Sequence, residues 1–160
     1  MSDAETPAAE TRLILPALEP LYARLSRLSW PMARAFTGIM LVPHGAQKLF
    51  GLFGGNGLSA TAEGFEQHLG LSPGLLWAGL TGGTELFGGL LLAVGLLTRP
   101  AAVGVVILMA VAVIHVHLPN GFFWSNGGVE YPLLWGLIAL AIAFRGGGEM
   151  SLDRAIGREF

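Results

Sequence analysis

The stretch that decides the fold runs from Leu75 to Leu97 and reads LLWAGLTGGTELFGGLLLAVGLL. It is long enough to cross the hydrocarbon core of a bilayer, which needs roughly 20 helical residues. Its one ionisable residue is Glu85, and a charge at mid-membrane depth costs from about 3 kcal/mol upward. The sequence therefore predicts a membrane helix in which Glu85 has a partner or a function.

The composition supports a membrane protein. Of the 160 residues, 52% are hydrophobic and 12% are charged, whereas about a quarter of the residues in soluble domains are charged. The net charge is −2 and there is no run of basic residues, so nothing points to nucleic acid as a partner. The chain has no cysteine, which excludes disulfides, thiolate metal sites and dithiol redox chemistry within it.

Four apolar runs approach the length of a membrane span. We predict spans at Trp30–Phe50, Leu75–Leu97, Ala101–Leu118 and Tyr131–Phe144. Arginines precede the first run, separate the second from the third and follow the fourth, whereas Lys48 lies on the opposite side. The positive-inside rule then predicts that both termini are cytoplasmic. The predicted fold is all-α, a polytopic membrane four-helix bundle.

The regions outside the spans carry weaker patterns. Leucines and a tyrosine recur at helical spacing between Leu18 and Leu28, which indicates an interfacial amphipathic helix or, alternatively, a solvated lead-in helix. We therefore divide the chain into an N-terminal tail and interfacial helix (1–29), the four-span domain (30–145) and a cytoplasmic C-terminal tail (146–160). A short outer helix is predicted within Glu63–Leu71.

One face of the first span carries three polar residues. At about 100° per residue, Arg34, His44 and Lys48 fall within roughly 80° of one another, so His44 and Lys48 are predicted to face Glu85 inside the bundle. Arg34 lies near the inner end of the span, where its side chain either joins that face or snorkels to the headgroups.

The second span has a stripe of small residues. Gly82 and Gly89 lie on the face of Glu85, and Gly79 with Gly83 forms a GxxxG pair. Small residues allow membrane helices to approach closely. We therefore predict that these glycines serve helix packing.

His115 and His117 are two residues apart, or about 200° on an α-helix. Both cannot face the bundle unless the helix unwinds there. We favour His115 as the inward residue.

Several strings of residues, taken together, resemble the DoxX family. They are HGAQKLFG (44–51), FGG (53–55), GGTELFGG (82–89), TR (98–99), His115, NGF (120–122), EYPLL (130–134), GGG (146–148) and SLDR (151–154). The resemblance implies a four-helix protein of the bacterial inner membrane. Some members of the family are linked to quinol oxidase or thiosulfate-oxidising quinone reductase assemblies, and others to membrane oxidoreductase complexes. The motif positions implied as binding residues are His44, Lys48, Glu85, His115, Asn120, Glu130 and Tyr131.

Three classes of function fit these residues. In the first, the chain is a quinone- or quinol-interacting accessory subunit, with His44 or His115 hydrogen-bonded to a quinone carbonyl. Glu85, His44 and His115 are then the candidates for proton handling, and electrons come from a bound cofactor or a redox partner subunit, so no turnover is expected from the polypeptide alone. The second is a haem or metal site built on His44 and His115 with Glu85 or Glu130. The third is a noncatalytic scaffold or small-solute carrier, in which Glu85 forms a buried packing pair. We rank the quinone first and assign neither a metal site nor a catalytic residue.

Overall fold

A computed structural model describes residues 13–159, and every regular element in this part of the chain is helical. The helices are α1 (Glu19–Phe50), α2 (Gly57–Leu69), α3 (Gly74–Val94), α4 (Thr98–Asn120), α5 (Glu130–Arg145) and α6 (Leu152–Ala155). Short 3-10 turns lie at Pro16–Leu18, Leu52–Gly54 and Trp124–Asn126. The predicted all-α class is therefore confirmed for the described residues, whereas most of the predicted N-terminal tail (residues 1–12) lies outside them.

Two of the described helices, α3 and α4, are long and apolar enough to cross a membrane. They match the predicted spans Leu75–Leu97 and Ala101–Leu118 to within three residues at each end. Helix α5 extends the predicted run Tyr131–Phe144 by one residue at each end. The predicted outer helix is also present, as the longer α2.

Helix α1 begins at Glu19, well before the expected start of the first span at Trp30, and it continues through Pro31 and Pro43. The lead-in segment and the first predicted span therefore form one uninterrupted helix. All residues from Leu21 to Ser29 are exposed, and Arg27 among them lies 3.5 Å from Glu149 of the C-terminal segment.

Helices α1 and α3 cross at glycines. A Cβ added to Gly38 would collide with the backbone at Gly89, and one added to Gly45 would collide with Leu86 and the Gly82 carbonyl. The predicted packing role of Gly82 and Gly89 is thus visible in the contact with α1. Close approach of the two backbones requires these residues to lack a side chain.

The predicted packing role of the GxxxG pair is wrong within this part of the chain. A Cβ at Gly79 or Gly83 would meet no atom within 4 Å. Both residues lie to the side of the face centred on Gly82 and Gly89, because successive residues on a helix are about 100° apart.

A second tight contact joins α4 to α5. The buried cluster consists of Leu41, Leu92, Ala101, Ala102, Val105, Met109, Ala139 and Ile142. Three of these positions are alanines, so the helices approach closely and the larger side chains interdigitate between them.

The chain after α5 folds back onto the turn between α3 and α4. The Asp153 carboxylate accepts the backbone N–H groups of Leu97 at 2.8 Å and Thr98 at 2.9 Å. These are orphan donors at the start of α4, so Asp153 caps a helix that lies far from it in sequence. The Asp153 N–H donates in return to the Gly95 carbonyl at 2.8 Å.

Arg34 caps the other side of the same turn. Its guanidinium donates to the carbonyl of Leu92 at 2.8 Å and to that of Met150 at 2.7 Å, and the residue is only 2% exposed. Arg34 therefore neither snorkels nor joins Lys48. It binds the Leu92 carbonyl at the end of α3, where a positive charge is favoured, and joins it to the C-terminal segment at Met150.

Candidate functional site

A cavity of about 230 Å³ lies among α1, α2, α3 and α4, and we call it the Glu85 cavity. Its polar lining residues are Lys48, Thr81, Glu85, His115 and His117. Aromatic and aliphatic side chains, including Phe65 and Trp77, form the rest of its wall. The cavity therefore combines an apolar enclosure with a few ionisable groups, as small-molecule sites commonly do.

Lys48 is the direct partner of Glu85. Its Nζ lies 2.9 Å from one carboxylate oxygen and 2.7 Å from the other. The Glu85 side chain is 9% exposed and the Lys48 side chain 26%. A nearly buried carboxylate with a bidentate cationic partner meets the expectation that an intramembrane charge is paired.

The local backbone around Glu85 is not α-helical. Residues Thr84–Gly88 form a π turn within α3, and such turns are rare and frequently occur at functional sites. One turn earlier, the missing side chain of Gly82 leaves room for Lys48 and Leu49, since a Cβ there would touch both. The glycine and the π turn together let the Lys48 side chain reach the carboxylate.

A second π turn, Val113–His117, interrupts α4. On a regular α-helix the two histidines could not both face inward, and this π turn supplies the necessary unwinding. Both His115 and His117 line the cavity. The preference for His115 alone is therefore wrong. The two π turns bring Glu85 and both histidines to the same space.

The hydrogen bonding of His117 defines its tautomer. Its Nδ1 lies 2.6 Å from the Gly127 carbonyl oxygen, which can only accept. Nδ1 therefore carries the hydrogen, and Nε2 is an acceptor in the neutral ring and a donor in the imidazolium.

His44 does not line the Glu85 cavity, contrary to the prediction. The side chain is exposed. The face of α1 that contacts α3 is centred on Gly38 and Gly45, and His44 is about 100° from Gly45. Lys48 is about 60° from Gly45, on the same side as His44, and its longer side chain can reach Glu85.

Asn120, Glu130 and Tyr131 also lie outside the cavity lining, and they organise the loop between α4 and α5 instead. Asn120 Nδ2 donates to the Gly127 carbonyl at 3.3 Å, and Glu130 accepts the Trp124 N–H at 3.0 Å. The Tyr131 ring stacks on Trp124 with centroids 5.3 Å apart. The structure thus brings together Lys48, Glu85 and His115 but not the rest of the predicted set.

Sequence reasoning missed several lining residues. Trp77 precedes Glu85 by about two turns, so it shares the helical face of Glu85, and that periodicity was sufficient to find it. Phe65 comes from α2, and no local pattern indicates which face of α2 covers the cavity.

The described residues contain no group of three or more histidine, aspartate and glutamate side chains placed to hold a metal ion. The arrangement considered for haem or metal requires His44 and His115 together. They are not brought to one cavity.

Comparisons with known proteins identify a family and two relatives. The profile of the DoxX family matches residues 29–118. Two relatives from Haemophilus influenzae, both described as "Uncharacterized protein", are 33% identical over 78 residues and 35% identical over 127 residues. The first match covers 49% of this chain and 52% of that protein, and the second covers 75% and 84%. This chain therefore spans about half the length of the first relative. No solved structure matches significantly. The chain belongs to the DoxX family of membrane proteins.

Proposed function

We propose that α1, α3, α4 and α5 all cross the bacterial inner membrane and form a four-helix bundle. The proposal is supported by the side chains that α1 and α5 leave uncovered. Phe36 and Ile39 on α1 are 57% and 52% exposed, and Leu137 and Phe144 on α5 are 63% and 76% exposed. Apolar surface of this extent is unfavourable in water and is accommodated by lipid.

Both termini are proposed to be cytoplasmic. Arginines lie where α1 begins, where α4 begins and where α5 ends, so they gather at one end of the helices, which we call the arginine end. Lys48 lies at the opposite end. Reporter fusions near Gly57 and Asn126 should give an outer signal, and fusions at Arg99 and the C-terminus an inner one. An outer signal at Arg99 would refute this orientation.

The first turns of α1 are proposed to be the interfacial amphipathic helix. Leu21, Leu25 and Leu28 are exposed and recur at helical spacing, with Arg24 and Arg27 between them. A helix of this kind gains stability when its apolar face enters the headgroup region and its arginines contact anionic lipid.

The Glu85 cavity is proposed to bind a quinone headgroup, as part of an accessory subunit of a membrane oxidoreductase. Its volume of about 230 Å³ is below the roughly 300–1,000 Å³ of sites for drug-sized ligands, which suits a single substituted ring. Phe65 and Trp77 supply aromatic surface in the wall, which suits a planar ring. The supporting chemistry is the convergence of one carboxylate, one ammonium and two imidazoles.

A quinone would supply two carbonyl acceptors and a group that takes up two electrons and two protons. Lys48 and His115 are the residues that can donate hydrogen bonds to the carbonyls. As an imidazolium, His117 can give a proton from Nε2 while Nδ1 stays hydrogen-bonded to the Gly127 carbonyl. Glu85, in the same cavity, can accept or return protons. Because the chain has no cysteine, electrons are assigned to a redox partner subunit.

One observation carries this proposal. Two separate helices depart from α geometry at the residues that face one cavity, at Thr84–Gly88 and at Val113–His117. A bundle that needed only packing would retain the i to i−4 hydrogen bonds through both segments. The departures are typical of a helix shaped for a ligand.

The test is binding of a quinone analogue to the purified full chain in lipid nanodiscs. His115→Ala and Glu85→Gln should each weaken binding by at least about tenfold, the equivalent of one lost charge-assisted hydrogen bond. His68→Ala is the matched control, because His68 is exposed on α2 and bonds only to its own helix at the Gly64 carbonyl. Equal binding by the parent and by folded cavity variants would refute the quinone assignment.

A scaffold or small-solute carrier is the second candidate, and one observation favours it. Lys48 and Glu85 satisfy each other without any ligand. On that account no quinone binds, and Glu85→Gln lowers only the folded yield. The quinone account instead predicts a Glu85→Gln protein that folds and fails to bind.

A further inference from the structure

A large hollow lies at the opposite end of the molecule from the Glu85 cavity. A cleft of about 720 Å³ opens between the start of α1, the end of α5 and the C-terminal segment. An adjoining hollow of about 500 Å³ shares Arg27, Glu149 and Arg154 with it. We infer that this arginine cleft binds the phosphate-bearing headgroup of an anionic phospholipid. The site is independent of the quinone proposal.

The cleft concentrates positive charge. It and the adjoining hollow are lined by Arg24, Arg27, Arg145, Arg154 and Arg158. The net charge of the whole chain is −2, so this local excess does not follow from overall composition. Arginines from three separate segments meet here, and the guanidinium group is well suited to bidentate contact with phosphate.

Each carboxylate in the cleft already has a partner, and Glu149 is paired with one of the cleft arginines. Glu149 lies 3.5 Å from Arg27, Asp153 caps α4, and Glu159 accepts the Gly147 N–H at 2.8 Å and approaches Arg99 at 4.0 Å. Within residues 13–159, no carboxylate pairs with Arg24, Arg154 or Arg158. These side chains are available to an anionic ligand.

The floor of the cleft is fixed by Trp30. Its indole N–H donates to the Gly146 carbonyl at 2.9 Å, and the Arg145 guanidinium lies 4.6 Å from the centre of its ring. A tryptophan with one polar tip and an apolar body is typical of the membrane interface. The cleft therefore opens at headgroup depth.

Apolar surface beside the arginines favours a lipid over a free phosphate. Leu28 and Met150 line the adjoining hollow, and both are exposed, as is Met32 one turn further along α1. An acyl chain can follow this stripe from the headgroup toward the membrane. A soluble phosphate would gain nothing from it.

The experiment is native mass spectrometry of the full chain in detergent, titrated with dioleoyl phosphatidylglycerol or with dioleoyl phosphatidylcholine. The parent should retain the anionic lipid at least about tenfold more strongly. The Arg154→Gln/Arg158→Gln variant should lose about twenty-five-fold in affinity, because each arginine near an anionic lipid contributes roughly fivefold. The matched Arg154→Lys/Arg158→Lys variant keeps the charge and should stay within about fivefold of the parent.

Several outcomes would overturn the inference. They are equal retention of the two lipids by the parent, unchanged affinity in the glutamine variant, and displacement by glycerol phosphate at the concentration of the lipid. The glutamine variant should unfold at the parent temperature in lipid-free detergent. If it does not fold, the parent itself supplies the test, since its preference for phosphatidylglycerol must fall steeply between 0.05 and 0.5 M salt as charges are screened.

Discussion

The ion pair between Lys48 and Glu85 should give a measurable coupling free energy between the two positions. A double-mutant cycle measures it, with the single variants Lys48→Met and Glu85→Gln and the double variant that carries both changes. Both substitutions keep side-chain volume while removing charge. The cycle therefore isolates the interaction between the two residues from losses of packing.

The expected magnitudes follow from burial. Removing one partner of a fully buried pair costs about 3–5 kcal/mol, because the other charge is left uncompensated. The Glu85 side chain is 9% exposed, so Lys48→Met should come close to this range, at about 2–3 kcal/mol. The Lys48 side chain is 26% exposed and can turn toward water, so Glu85→Gln should cost only about 1 kcal/mol.

The double variant should be much less destabilised than the two single changes added together. A pair of neutral side chains leaves no buried charge, so the coupling between the positions should be about 2 kcal/mol. The assay is reversible unfolding in mixed micelles, followed by helix content. A coupling below about 0.5 kcal/mol, with all three variants folded, would mean that the two charges do not interact as the distances indicate.

Three further predictions concern the packing and the arginine end. Gly45→Ala should destabilise the fold by about 1–3 kcal/mol because the added Cβ collides with α3. Gly83→Ala places its Cβ in open space and should be neutral or stabilising by up to about 1 kcal/mol. Equal unfolding curves for the two variants would contradict this difference. Arg34→Lys should expose the segment after Gly146 to protease, because one ammonium cannot hold the carbonyls of both Leu92 and Met150; an unchanged digestion pattern would refute the cap. Burial alone would raise the pKa of Asp153, but hydrogen bonds from Thr98 and Leu97 and the nearby Arg34 charge outweigh it and lower the pKa. This carboxylate therefore stabilises the fold above its unfolded pKa of about 4 and loses that effect only as pH falls below it, so protease resistance should be constant from pH 8 to 5, and a decline near pH 6 would count against the assignment.

The sequence was sufficient for much of the fold because its strongest patterns are local. Apolar runs located α3 and α4, and the penalty for an isolated charge predicted a partner for Glu85. The face shared by Gly82 and Gly89 also followed from helical period alone. These are properties of single helices, which a sequence displays directly.

The failures arise where the answer depended on a second element. His44 and Lys48 share a stripe on a straight helix, but the position of α3 decides which of them is covered. Arg34 was expected either to join the inward face or to snorkel, because the carbonyls that it binds belong to the end of α3 and to the C-terminal segment. The π turn that ends at His117 could not be predicted. The sequence indicated only that both histidines can face inward if the helix unwinds there. No local pattern encodes these contacts.

The two ends of α3 and α4 differ in their packing and hydrogen bonding. Near the arginine end, Leu92, Ala102, Val105 and Ile142 are fully buried, and both helix termini at the turn are capped by charges. Toward Lys48, each helix gives up regular hydrogen bonds in a π turn, and a cavity replaces packed side chains. Functional sites commonly sacrifice stability that a rigid scaffold elsewhere supplies. Substitutions in the buried cluster should therefore lower folded yield, while conservative changes around the Glu85 cavity should alter binding in a protein that still folds.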